Sequence, residues 1–412
     1  MSTPIIARPS SLKMSRSPIF YTGKNNTLTN DELDAMSLNL KIWSGTSAPT
    51  DNNYELSKSY SIGEVINFEV SDLIRSEFSH DFSVYDASFY EQSPVNEALW
   101  VNATGDWTYS DNGAAPIAAP HTTGTTFKFL ATQGWADKLN PTNPSVTQAI
   151  LAVTRNRQVL TSNYESLAIY NSAANDLGYI EISWNNGDTD TFYNTDGINS
   201  TPPDPVSGDT QDLVIYAGVG PANLEANAGL DAVIKPSSHS TGDYYDVVLY
   251  NTGLDEIARI RYTLVCEPKY TPYQVSFVNR YGVADFITFF KVSTDQGNFT
   301  NDQYKRSIYQ DGFTTPSLQV GQYQDFNVNS RNTITMNTGW VDENYANVIE
   351  DILMSENVAI LLNGSWVAAS PQRGSVDYQK EINSKLKKNL SQMMKSGCSH
   401  LSKTASSNQS TR

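Results

Sequence analysis

A chain of 412 residues that is 39% hydrophobic is too long for one core and reads as two or three domains. Its 44 Asp and Glu against 28 Lys and Arg give a net charge of −16, which repels phosphate backbones and argues against nucleic-acid binding by the acidic body. Two cysteines, Cys266 and Cys398, are too few for a disulfide scaffold or a zinc cluster, and no stretch approaches the roughly 18 apolar residues of a membrane span.

The N-terminus, Met1 to Pro9, lacks the apolar core of a signal peptide, so synthesis in a cytoplasm without a cleaved leader is expected. Residues 1–30 read as loop, punctuated by Pro4, Pro9 and Pro18. Strict alternation from Met36 to Trp43 predicts the first clear strand, closed by Ser44-Gly45. Tyr54-Glu55-Leu56 and Val65 to Val70 are further strands, and Ser71-Asp72 is placed to cap a short helical turn at Leu73-Ile74-Arg75. Residues 103–125, rich in Gly, Pro, Ala and Thr, read as a long loop or junction.

Strands resume at Thr126 to Leu130, then Tyr179 to Trp184, Asp212 to Tyr216, Tyr245 to Tyr250 and Ile257 to Val265. Pro202, Pro203 and Pro205 mark a surface loop between them. After Pro272, Gln274 to Val278 and Phe286 to Phe290 flank an Asn279-Arg280-Tyr281-Gly282 turn. The best helix spans about Glu343 to Met354, where Tyr345, Val348, Ile349, Ile352 and Leu353 form one apolar stripe and Asp342 stands as N-cap. Val358 to Leu362 and Trp366 to Ala368 flank Asn363-Gly364, a hairpin signal because both turn positions need positive φ.

The expected class is therefore mainly β: an N-terminal β-sandwich over 1–120, a second over 125–270, and a smaller α+β domain over 271–380. A basic, flexible tail over 381–412 follows. From Lys385 it holds Lys385, Lys387, Lys388, Lys395, Lys403 and Arg412 and no acidic residue. Ile382, Leu386, Leu390 and Met393 within it fall on one helical face. Such a tail suits an acidic neighbour, DNA or simple solvation.

Few residues suggest chemistry. A strand running into Gly218-Val219-Gly220 opens like a dinucleotide fingerprint, but Asn223 stands where the third small residue belongs, so a glycine turn between strands is expected. Asn185-Asn186-Gly187-Asp188-Thr189-Asp190, with Asn194 and Asp196, offers oxygen ligands to Ca²⁺ through Asp188, Asp190 and Asp196, but it lacks a closing Glu and is first of all an ordinary hairpin turn. His80, His121, His239 and His400 share no motif spacing, and no carboxylate pair stands out as a glycosidase dyad. The 7 Trp and 23 Tyr suit cores and interfaces, or a sugar-stacking surface. No catalytic residue, cofactor or metal is assigned, and a non-enzymatic protein is expected.

Phe277-Val278-Asn279-Arg280-Tyr281-Gly282 followed by Phe286 to Phe290, and Asn337 to Tyr345, resemble a group of virion structural, tail-associated proteins of tailed phages of marine and Bacteroidetes-type bacteria. Arg8-Pro9-Ser10, Ser17-Pro18-Ile19, Leu38 to Gly45, Ile66 to Ile74 and Gly220-Pro221-Ala222-Asn223-Leu224 extend the likeness over most of residues 8–370. The resemblance implies a virion component assembled in a host cytoplasm, bound to other virion proteins and to copies of itself as a symmetric homo-oligomer, without membrane partners. Within the particle it implies a tail role (baseplate, ring or fibre anchor), with a capsid-surface or head-fibre protein and a carbohydrate-binding receptor module as alternatives.

Overall fold

The computed structural model describes residues 5–7, 9–24, 33–44, 48–59, 64–80, 90–92, 98–109, 117–119, 127–136, 142–172, 174–175, 177–192, 213–227, 229–265, 269–307, 321–341, 345–372 and 387–395. The protein is mainly β, with its strands in several sheets.

In the N-terminal region a small sheet joins β1 (Ile5–Ala7), β3 (Phe20–Gly23) and β6 (Ile66–Glu69). It faces a larger one ordered β2 (Leu12–Met14), β10 (Phe127–Thr132), β8 (Ala98–Tyr109), β4 (Leu33–Trp43) and β5 (Tyr54–Ser59), with β9 (Ile117–Ala119) also on β8. The period of two along β4 turns Met36, Leu38, Leu40 and Ile42 to one side, where they are buried with Tyr21 and Phe68 of the small sheet.

The middle region repeats this logic. One sheet is ordered β11 (Asn156–Val159), β17 (Glu256–Leu264), β16 (Tyr244–Asn251), β13 (Leu177–Trp184) and β14 (Thr189–Phe192). The other is β12 (Ser166–Asn171), β15 (Leu213–Gly218) and β7 (Tyr90–Gln92), and Ile169, Ile215, Ile182, Val247 and Ile260 share the core between the two. The last sheet runs β19 (Ala284–Phe289), β18 (Tyr273–Val278), β22 (Val358–Leu362), β23 (Ser365–Pro371), β24 (Lys387–Lys395), β21 (Tyr323–Val341) and β20 (Thr294–Lys305). Helix α3 (Tyr345–Met354) lays Val348, Ile349 and Ile352 onto Val275, Phe277 and Ile360 of that sheet.

The expected turns have the expected geometry. Asn363 and Gly364 sit at φ +52 and +78 between β22 and β23, and Gly187 at φ +95 closes the β13–β14 hairpin. Gly282, at φ +79, ends the β18–β19 turn, where its N–H donates to the Asn279 carbonyl at 2.8 Å. The α3 stripe is the one read from the sequence; Asp342 and Glu343 lie outside the described residues.

Several expectations change. Helix α1 (Ser71–Arg75) begins earlier than expected, so the apolar Val70 occupies the cap position and Ser71, inside the helix, donates its hydroxyl to Glu69 Oε1 at 3.0 Å. The loop expected from residue 103 is strand to Tyr109, since the long β4 offers each residue a partner down to Leu33↔Tyr109; tertiary pairing overrides composition there. Strand β10, expected to open the second domain, lies between β2 and β8, while β7 of the N-terminal stretch pairs with β15. The boundary near residue 120 is thus crossed both ways. One core joins Leu12, Trp100 and Leu130 to Tyr170 and Tyr216 and to Phe286. Residues 387–395, read as helical face and flexible tail, form a strand between β21 and β23, because two open edges supply ladder bonds on both sides. The paired strands β20 and β21 had no counterpart in the sequence reading.

Candidate assembly surface

The sites suggested by sequence resolve into local structure. Asp188 accepts hydrogen bonds from Asn186 Nδ2 (2.6 Å) within the hairpin turn, and Asp190 accepts from the Asp231 N–H (3.0 Å); Asp196 lies outside the described residues. No group of three or more His, Cys, Asp or Glu able to hold a metal comes together among the described residues. The Gly218-Val219-Gly220 segment leads into a short helix, α2 (Pro221–Ala226), rather than a strand. Its amides are spent internally: Gly220 N donates to the Glu165 carbonyl (2.9 Å) and Ala222 N to the Asn163 carbonyl (3.0 Å). A Cβ on Gly220 would strike the Glu165 backbone, so the glycine serves a close chain crossing rather than a pyrophosphate. His80 meets Gln133 at 2.7 Å, and His239 stacks on Trp184 with centroids 3.5 Å apart; His121 and His400, like both cysteines, lie outside the described residues.

What the fold builds instead is a rigid junction. Arg157 of β11 reaches Glu165 Oε2 at 3.1 Å and pairs with Asp285 of β19, all three at most 4% exposed. Asp285 also accepts from Asn279 Nδ2 (3.2 Å) and the Phe286 N–H (2.9 Å), and Asn279 donates onward to the Leu151 carbonyl (2.7 Å). Two carboxyls share one guanidinium away from water, and burial pushes the Glu165 carboxyl up to about 7 against the pull of Arg157. Buried charges are tolerated only when paired and hydrogen-bonded in this way, and breaking such a pair is expensive.

Two further locks follow, one holding helix α3 on the β18–β19 turn of the last sheet and one tying the N-terminal region to the residues just past α3. Arg280 grips the fully buried Asp351 of α3 through Nη2 (2.9 Å) and Nε (3.1 Å); burial raises the Asp351 carboxyl to about 6. Glu356, just past α3, pairs with Arg75 and accepts from Gln133 Nε2 at 3.1 Å. Beside it the chain at Gly134 lies directly on the 280–282 turn, where Trp135 N donates to the Arg280 carbonyl (2.8 Å). A Cβ on either Gly134 or Gly282 would occupy the other's backbone.

At the opposite end of that sheet no further strand lies beside β20 among the described residues. Strands β20 and β21 pair from Thr294↔Thr335 to Lys305↔Tyr323, but β24 reaches only as far as Asn332. Among the described residues Gly297–Lys305 and Tyr323–Arg331 have only each other as strand partners, a ribbon of about nine residues, or roughly 30 Å. Every residue of β20 is exposed. Phe299 is 76% exposed and Tyr323 62%, while Tyr304 and Phe326 meet edge-on at 5.8 Å in the open.

Neither the scan of family models nor the search of curated proteins found a match. The surface therefore has to be read from its own chemistry. Polar cross-links stiffen the ribbon: Asp325 Oδ1 accepts from Asn301 Nδ2 (2.7 Å) and Gln303 Nε2 (2.6 Å), and Gln324 Oε1 from Tyr304 OH (2.7 Å) and Arg306 Nη1 (2.8 Å). A two-stranded ribbon alone is marginal in water, and this one carries four exposed aromatics, Phe299, Tyr304, Tyr323 and Phe326. Sequence reasoning passed over these residues because Thr, Asn, Gln and Asp dominate them. The detectable signal was the isolated aromatics, Phe299, Tyr304, Tyr323 and Phe326, recurring in an otherwise polar stretch.

Proposed function

We propose that this chain is a structural component of a tailed-phage virion, most simply a tail protein of the baseplate, tail ring or fibre anchor, working through protein–protein assembly rather than catalysis. Its architecture in this reading is two β-sandwiches that exchange β7 and β10 across the boundary near residue 120, followed by an α+β domain carrying the ribbon. The observation that carries the assembly role is the exposed β20–β21 ribbon with Phe299, Tyr323, Tyr304 and Phe326 uncovered. The resemblance of the 277–290 and 337–345 segments to tail-associated proteins supplies the particle. The buried Arg157–Glu165–Asp285 cluster and the Arg280–Asp351 pair support a rigid body suited to bearing load.

Mass spectrometry and immunogold labelling of gradient-purified particles test this reading. The expected result is the chain at stoichiometric level with label on the tail. Label on the head moves the role to the capsid surface, and a chain abundant in infected cells but missing from particles overturns the proposal.

A further inference from the structure

The outer edge of β20 is free of any strand among the described residues, and its sequence complements itself. Edge strands offer a row of unpaired N–H and C=O groups, and proteins that must avoid pairing blunt them with proline, a bulge or lysines along the strand. β20 has no proline, and its one lysine, Lys305, closes it. The ribbon does contain a bulge, between Thr300↔Asn329 and Asp302↔Phe326, but the extra residue is in β21, with Asn327 at φ +50. The outer edge therefore stays regular over 12 residues.

Laid antiparallel against a second β20 with Thr300 on the twofold axis, the strand places Asp295 opposite Lys305 at both ends. Asn298 then faces Asp302, and Gln296 faces Tyr304. No like charges oppose one another, and the two threonines on the axis meet as a favourable cross-strand pair. The ribbon, residues 297–305 and 323–331, carries two acidic residues (Asp302, Asp325) and two basic ones (Lys305, Arg331), within a chain of net charge −16. Two acidic bodies meeting through this neutral element repel least. We infer that β20 pairs with β20 of a second copy of this chain, merging two ribbons into a four-stranded, isologous sheet.

This inference rests on the assembly reading above and narrows it to a twofold contact. The test uses the isolated full-length chain carrying Thr300→Cys, an exposed position. Across the axis the two cysteines would lie about 4.5–5.5 Å apart at Cα, within disulfide reach. The expected result is a doubled mass by light scattering and a 300–300 linked peptide after mild oxidation. Gln296→Cys, whose mates would stand about 27 Å apart, stays unlinked. Lys305→Asp weakens the dimer about tenfold, and adding Asp295→Lys restores it. A chain that stays monomeric at about 100 times the concentration of the linking experiment, or a dimer with no 300–300 link, overturns the inference. A monomer found in particles removes only the self-pairing; a self-paired chain absent from particles removes only the virion reading.

Discussion

Asp285 and Asp295 are ten residues apart and live in opposite worlds. Asp285 is 3% exposed, paired with Arg157 and wrapped in hydrogen bonds that tie the middle region to the last sheet. Asp295 stands on a strand exposed along its whole length. In the junction polar groups hold the molecule together, because each buried charge would be costly without its partner; on the ribbon they keep an uncovered surface soluble. The same side chains thus supply internal rigidity in one place and external availability in the other.

That contrast can be broken most sharply at Arg157. Arg157→Ala leaves Glu165 and Asp285 buried without a cation and is expected to cost about 3–5 kcal/mol, read from the shift in urea midpoint. Gly282→Ala forces a side chain into the Gly134 backbone at a positive φ and should cost roughly 2–4 kcal/mol by the same measurement.

The pH dependence of stability sharpens the comparison further. Burial raises Glu165 from 4.5 to about 7 and Asp351 from 3.8 to about 6. Between each pair of values the unfolded chain has lost the proton while the folded one keeps it. Stability from these groups is therefore complete at the acid end and falls as pH rises toward 7, by up to about 1.4 kcal/mol per pH unit for each. Urea midpoints across that range should show the decline, and Glu165→Gln should flatten its upper part. Smaller still, Gly364→Ala at φ +78 should cost about 1 kcal/mol. Phe299→Ser on the ribbon should change monomer stability by no more than about 0.5 kcal/mol while weakening self-association in sedimentation velocity.

The legible parts of the fold were those decided locally. Period-two alternation located β4 and β13, and the i, i+3, i+4 stripe located α3, because each buries one face and the pattern follows directly. Asn363-Gly364 was read as a turn from the φ values it demands, and Asn185 to Asp188 as a hairpin turn from its place between two strands. Strands β8, β20, β21 and β24 were not legible in this way, since their pairing depends on partners far along the chain. For the candidate site, the uncovered aromatics were visible only as composition, and their exposure was not.

The sequence by itself determined the mainly β character, the individual turns and the absence of a recognisable phosphate-binding or zinc motif, because these depend on spacing over a few residues. Tertiary structure alone decided that Arg157, Glu165 and Asp285 share a dry cluster across 128 residues of chain, and that Gly220 lies against the backbone of Asn163 and Glu165. It likewise decided that, among the described residues, β20 ends a sheet and has no further strand beside it. Burial and edge position are properties of the surroundings, and no local pattern of residues encodes what will or will not lie beside them.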